Sequence, residues 1–194
     1  MKLLVATNNY GKQKEFARLL AGLDYELVYP QDIGLSDFDV EETGQTAKEN
    51  ALLKAKSFAQ KTGLLTVADD SGLEIEALDG APGIHSKRFY LGGDSDRNQK
   101  IFELMEGVED RTALFRSVLC LFDPQSKVME YFEGIFSGSI SLEEKGEAGF
   151  GYDPIFIPDG KVQSVAELGI EYKNQYSHRA LAIKKLLDYL QNKK

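Results

Sequence analysis

The sequence predicts an α/β fold, an elongated mixed β-sheet flanked by helices, from three features. Short apolar runs closed by polar clusters alternate with segments whose apolar residues recur at helical spacing. One of those segments opens on a capping box and stops at a glycine. In the middle third, three extended runs follow one another with no helix between them, so parallel pairs joined by helices should give way there to antiparallel ones.

Lys2 to Ala6 is a strand closed by Thr7-Asn8-Asn9, and Phe16, Leu19, Leu20 and Leu23 then mark an amphipathic helix. Tyr25 to Tyr29 is a second strand, followed by a loop from Gln31 to Gln45 that carries Asp32, Asp37, Asp39, Glu41 and Glu42. Thr46 caps the next helix with Glu49 three residues on, and Ala51, Leu52, Ala55, Phe58 and Ala59 form its buried stripe until Gly63. Leu64 to Ala68 is a strand ending in the turn Asp69-Asp70-Ser71-Gly72, and the alternation Leu73, Ile75, Ala77 marks another before the turn Asp79-Gly80. A helix over Ser95 to Gly107 precedes strands at Thr112 to Phe122, Val128 to Phe136 and Ser139 to Leu142. The last helix starts from a Ser177 cap and runs through Ile183, Leu186, Leu187 and Leu190.

The chain has 194 residues, 23 Lys plus Arg against 31 Asp plus Glu, and a net charge of −8. That balance excludes polycationic binding to a nucleic-acid polymer, which needs a clustered basic surface. At 42% hydrophobic and 28% charged, the chain reads as one globular domain over 1–194. A chain of this size buries roughly 70% of its extended surface and needs no disulfide or metal staple. Cys120 stands alone in the apolar run Val118 to Phe122, where a buried hydrophobe is expected rather than a nucleophile. Leu3 to Ala6 is too short for a signal or a membrane span, so a cytoplasmic protein without a membrane partner is expected.

Ligands of open α/β sheets bind outside strand carboxyl ends, and three polar clusters compete for that role. Thr7-Asn8-Asn9-Tyr10-Gly11-Lys12 combines backbone N–H groups, a helix dipole and an ammonium that suit a phosphate, though it is not a P-loop; an Asn-rich turn with a solvated Lys fits equally. Asp69-Asp70 is an acceptor pair of which only one side chain should face a given cleft, and it can serve simply to accept turn hydrogen bonds. With Glu41 and Glu42 it becomes a candidate site for a hard cation such as Mg²⁺. The third cluster joins Gly149-Phe150-Gly151-Tyr152-Asp153-Pro154, Lys173-Asn174 and Ser177-His178-Arg179, where glycines beside an aromatic admit a flat ring. A capping role for Ser177-His178-Arg179 is the structural alternative.

Taken together, these segments resemble the inosine triphosphate pyrophosphatase family, hydrolases that cut non-canonical purine nucleoside triphosphates to monophosphate and pyrophosphate. The match runs in order through Thr7-x-Asn9-x-x-Lys12, Glu41-Glu42-Thr43-Gly44, Glu49-Asn50-Ala51, Ala68 to Leu73, Gly80-Ala81-Pro82-Gly83, Gly149 to Phe156, Ala166-Glu167-Leu168, Lys173-Asn174 and Ser177-His178-Arg179. The chain departs from the pattern at Asn8, where Gly is frequent, and at Lys87. The resemblance implies a two-lobed fold with a central cleft and a homodimer. It implies that Thr7, Asn8, Asn9, Tyr10, Gly11, Lys12 and Lys173 cradle the triphosphate, with Lys12 counted among the catalytic groups. Glu41 and Asp70 would hold Mg²⁺, with Asp70 as proton acceptor and Ser71 touching substrate. Phe150, Gly151, Tyr152, Asp153, His178 and Arg179 would line the purine pocket.

Physical chemistry is consistent with these roles. A triphosphate brings about four negative charges to an acidic protein, so local cations must receive it, and Lys12, Lys173, Arg179 and Mg²⁺ are the candidates. Hypoxanthine and xanthine offer an acceptor at the 6-position where adenine offers a donor. One unmatched buried pair costs about 1–3 kcal/mol, so strong rejection of ATP requires several polar contacts acting together. Guanine shares the 6-oxo group, so GTP has to be excluded at its 2-amino group. A pyrophosphatase for other modified or pyrimidine nucleotides and a non-catalytic nucleotide sensor are the competing readings.

Overall fold

The computed structural model describes residues 1–192, so Lys193 and Lys194, the end of the expected domain, lie outside the described residues. Six strands form one sheet in the order β2-β1-β3-β4-β5-β6. They are β1 (Lys2–Val5), β2 (Glu26–Val28), β3 (Leu65–Ile75), β4 (Thr112–Phe122), β5 (Met129–Ile140) and β6 (Phe156–Pro158). The helices are α1 (Tyr10–Leu19), α2 (Ala47–Thr62), α3 (Asp94–Leu104), α4 (Val165–Tyr176) and α5 (His178–Asn192). β1 runs parallel to β2 and β3, as helical crossovers require, and β5 pairs antiparallel with β6.

The described chain divides into two compact units. One comprises Met1–Asp70, Ser117–Gly134 and the segment from Arg179. Here side-chain alternation splits the core in two. Leu3, Val5, Val67, Leu119 and Leu121 pack with Phe16 of α1 and with Ile183, Leu186 and Leu190 of α5. Leu4, Ala6, Ala68, Cys120 and Phe122 pack with Ala51, Ala55 and Phe58 of α2. The other unit comprises Ser71–Arg116 and Ile135–His178, with a single core in which Leu73, Ile75, Phe115, Phe136 and Phe156 meet Ile101 of α3 and Val165 of α4.

Several local expectations hold. Thr46 and Glu49 form the capping box of α2, and Gly63 ends that helix at φ 71. Asp79 and Gly80 make a turn through φ 52 and 81. Cys120 is fully buried, and that burial pushes its thiol up to about 12.

Other expectations are corrected. Asp69 to Gly72 is not a turn between two strands but the middle of the single strand β3. The strand accommodates its acidic pair because each carboxylate meets a cation. Gly72 is required there for close approach, since a Cβ would stand 2.0 Å from the Gly83 carbonyl oxygen. The runs at 128–136 and 139–142 are likewise one strand, β5, whose Gly138 lies against β6 so closely that a Cβ would meet the Ile157 carbonyl oxygen at 2.2 Å. Helix α4 was not expected. It opens on a Ser164–Glu167 capping box, but Gly169, at φ 84 and ψ 175, interrupts its helical geometry and with it the periodicity.

Candidate active site

Period-2 alternation determines what the two aspartates of β3 face. Asp69 shares the side of Val67, toward α1 and α5, and Asp70 shares the side of Ala68, toward α2. Asp69 Oδ2 lies 2.8 Å from Lys12 Nζ and accepts from Arg179 Nε at 3.0 Å, while its Oδ1 accepts from Ser117 Oγ at 2.6 Å. Burial alone would raise this carboxyl, but the Arg179 and Lys12 charges and these hydrogen bonds hold it well below the usual range. Arg179, itself fully buried, also donates from Nη1 to Glu15 Oε2 at 2.5 Å.

Asp70 is differently placed. Its Oδ1 accepts from Lys54 Nζ at 2.8 Å, and the same ammonium donates to Glu42 Oε1 at 2.7 Å. Its Oδ2 is buried and has no hydrogen-bond partner. Burial raises the Asp70 carboxyl above its ordinary value even against the Lys54 charge. The same two carboxylates, outweighing burial, hold the Lys54 ammonium above its normal value.

The turn before α1 is built by its own side chains. Asn9 caps the helix by accepting from the Lys12 N–H at 3.1 Å, and the Asn9 N–H donates to Thr7 Oγ1 at 3.2 Å. Asn8 Nδ2 donates to the Ser36 carbonyl at 3.0 Å, and Tyr10 stands exposed with Lys14 Nζ 4.4 Å above its ring. Gly11 is the second residue of the helix, next to Tyr10. Burial lowers the Lys12 ammonium, assisted by the Arg179 and Lys54 charges and opposed by Asp69.

In the other unit, the loop through Phe150 is tied to α4. Asp153 Oδ2 accepts from the Phe150 N–H at 2.8 Å and from Lys173 Nζ at 2.5 Å, and that ammonium lies 3.8 Å from the Phe150 ring centroid. Gly149 and Gly151 supply the left-handed backbone, at φ 89 and 65. Tyr152 donates its hydroxyl to the Ser86 carbonyl at 2.8 Å, and burial pushes that hydroxyl up to about 12. His178 stacks on Phe115 with ring centroids 4.7 Å apart.

The charged side chains of these regions therefore gather in three clusters: Lys12 with Asp69 and Arg179, Asp70 with Lys54 and Glu42, and Asp153 with Lys173 beside Phe150. Glu41 is exposed, and it is Glu42 that reaches Lys54. Arg179, for which the family resemblance implies a place at the purine, is engaged by the Asp69 and Glu15 carboxylates in this structure. Lys54 and Glu15 were not singled out. Their signal was present as charges inside buried helical stripes, Lys54 three residues after Ala51 and Glu15 directly before Phe16.

The sequence matches the family model described as the Ham1 family over residues 3–189. The chain belongs to the Ham1 family. A relative named dITP/XTP pyrophosphatase from Porphyromonas gingivalis is 46% identical over 193 residues, covering 97% of each chain. Another of that name from Desulforamulus reducens is 46% identical, covering 98% of this chain and 96% of its own. Among solved structures, a HAM1 protein from Coxiella burnetii superposes with a TM-score of 0.90 at 36% identity and covers 99% of both chains. The Staphylococcus aureus Ham1 protein gives 0.89 at 38% identity over the full length of both. The six-stranded mixed sheet with its flanking helices is thus the Ham1 fold.

Proposed function

We propose that this chain hydrolyses the non-canonical purine nucleoside triphosphates ITP, dITP and XTP to the monophosphate and pyrophosphate in a Mg²⁺-dependent reaction, and so cleanses the nucleotide pool. The observation that carries this reading is the unlike pair on β3. Asp69 is engaged by two cations and a hydroxyl, whereas Asp70 keeps a buried oxygen with no hydrogen-bond partner and a raised carboxyl. A carboxylate in that state is suited to take a proton from water. The relatives named dITP/XTP pyrophosphatase support the substrate class.

The donor set fits a hard cation. Asp70 Oδ2 is an available carboxylate oxygen, and the neighbouring Asp70–Glu42 pair already attracts a positive charge in Lys54. Among the described residues, no group of three or more His, Cys, Asp or Glu stands ready to hold a metal unaided. That suits Mg²⁺, which takes one or two carboxylates and completes its shell with water and substrate phosphate. Asp70 and Glu41 would hold it, with Glu42 close by through Lys54. When bound, Mg²⁺ neutralises phosphate charge and polarises the α-phosphoryl group.

The side chains divide the remaining work. Lys12, with the Thr7–Gly11 turn, receives triphosphate oxygens, and Ser71 touches substrate beside Asp70. Asp70 orients a water in line with the α-phosphorus. As the water oxygen bonds to phosphorus, its proton passes to Asp70 and the bond to the bridging oxygen breaks, its electron pair leaving with pyrophosphate. Phe150, Gly151, Tyr152, Asp153 and His178 read the purine, and the 2-amino group of guanine is excluded. The family resemblance further supports a homodimer in the cytoplasm. Among the described residues, no helix is long and apolar enough to cross a membrane.

Hydrolysis of ITP in ¹⁸O-water with Mg²⁺ tests the reaction. Label in the monophosphate and none in pyrophosphate is expected from attack at the α-phosphorus. Label in pyrophosphate overturns attack at the α-phosphorus, and binding without turnover makes the chain a nucleotide sensor.

A further inference from the structure

Phe150 is carried by a loop with glycine on either side of it, so the chain there has little conformational preference of its own and must be held by its neighbours. Two side chains of α3 grip the next residue. The Gly151 N–H donates to Asp94 Oδ2 at 2.7 Å. Asn98 Nδ2 donates to the Gly151 carbonyl at 3.3 Å and to Glu144 Oε1 at 2.7 Å. Asp94 and Asn98 are four residues apart and so share a helix face. Asp94 is not needed to cap α3, because Asp96 Oδ2 already accepts from the Gly93 N–H at 2.6 Å. Arg97 forms a close ion pair with the other oxygen of Asp94, and Asn98 is 1% exposed. Both polar groups of Gly151 are therefore fixed from a rigid element, while Asp153 holds the Phe150 N–H and Lys173, and Tyr152 is tied to the Ser86 carbonyl.

We infer that Asp94 and Asn98 are positioning residues that set base selectivity, fixing the Gly151 peptide and with it the Phe150 ring and the backbone groups offered to the purine. The inference rests on the proposed reading of the Gly149–Asp153 loop as the base site. Pre-organisation of that loop lowers the ordering that a base must otherwise impose on binding. Loss of the grip should thus appear in KM and in discrimination between bases, and leave the phosphoryl step alone.

Steady-state pyrophosphate release from ITP and from ATP, with melting temperatures, should be compared for wild type, Asp94→Ala, Asp94→Asn and Asn98→Asp. Asp94→Ala and Asn98→Asp are expected to raise KM for ITP about tenfold, with kcat within about twofold and the ITP-to-ATP ratio of kcat/KM reduced. Asp94→Asn keeps an acceptor for the Gly151 N–H and should stay within about twofold of wild type. Inhibition by inorganic tripolyphosphate, which has no base, should be the same in all four proteins. Unchanged KM and selectivity in Asp94→Ala overturns the inference, as does a loss in Asp94→Asn equal to that in Asp94→Ala or a loss confined to kcat. If Asn98→Asp does not fold, the two Asp94 variants decide. A wild type that releases no pyrophosphate from ITP removes the functional reading itself, and a wild type that does so while the variants match it removes only this inference.

Discussion

Arg179 Nε lies 3.0 Å from Asp69 Oδ2, a contact between residues 110 apart in sequence, and Glu15 holds the other side of the same guanidinium. With Lys12 the cluster contains two cations and two carboxylates, all buried or nearly so. Such a network is costly to break, because removing one member leaves its partners charged without compensation. The acidic pair of β3 thus separates into a structural member, Asp69, and a chemically available one, Asp70.

Asp69→Asn should destabilise the fold by about 3–5 kcal/mol, lowering Tm by about 6–20 °C for a chain of this length. Asp70→Asn removes a buried carboxylate that lacks a full set of partners and should melt within about 3 °C of wild type. Differential scanning calorimetry of the two variants checks the contrast. The opposite order of Tm would reverse the assignment.

The pH dependence of stability follows from the same cluster. The folded carboxyl of Asp69 lies well below its unfolded value, so its contribution is fully present above the unfolded pKa and is lost as pH falls toward the folded one. Wild type should therefore lose stability below about pH 4, and Asp69→Asn should lose less over the same interval. Urea unfolding between pH 6 and pH 3 gives the two slopes, and equal slopes would count against Asp69 as the titrating group.

Lys54 holds Asp70 and Glu42 together. Lys54→Met should lower kcat for ITP by about 100-fold and move the acidic limb of the rate profile to higher pH, because the charge that restrains the raised Asp70 carboxyl is gone. Lys54→Arg should restore part of the rate. A Lys54→Met profile superimposable on wild type removes Lys54 from the site.

Glu41 and Glu42 are separable by metal titration. If Glu41 is the second ligand, Glu41→Gln should raise the Mg²⁺ concentration for half-maximal rate by about tenfold, with Glu42→Gln acting chiefly through Lys54 and changing kcat more. The reverse pattern transfers the ligand role to Glu42.

What sequence made visible is what short-range rules control. The start of α2 is a local event between Thr46 and Glu49, and the opposed facing of Asp69 and Asp70 follows from strand alternation alone. What it hid depends on contacts distant in sequence. The two aspartates, Ser71 and Gly72 read as a turn by composition, but Lys12, Lys54 and Arg179 arrive from three helices to keep that stretch in β3. Gly138 read as a strand break until its approach to Ile157 of β6 supplied another reason for glycine. The part played by Lys54 required the register that sets α2 beside β3, which no spacing within 50–60 encodes.

The central claim is that Asp70 drives pyrophosphate release from non-canonical purine triphosphates. Its most direct test is pyrophosphate release from ITP, dITP, XTP, ATP, GTP, dUTP and dTTP with Mg²⁺ by wild type and Asp70→Asn. The expected result is turnover of the first three far above the rest by wild type, with Asp70→Asn reduced at least about 100-fold at a Tm within about 3 °C of wild type. Full activity in Asp70→Asn, or a substrate order led by dUTP or ATP, would contradict it.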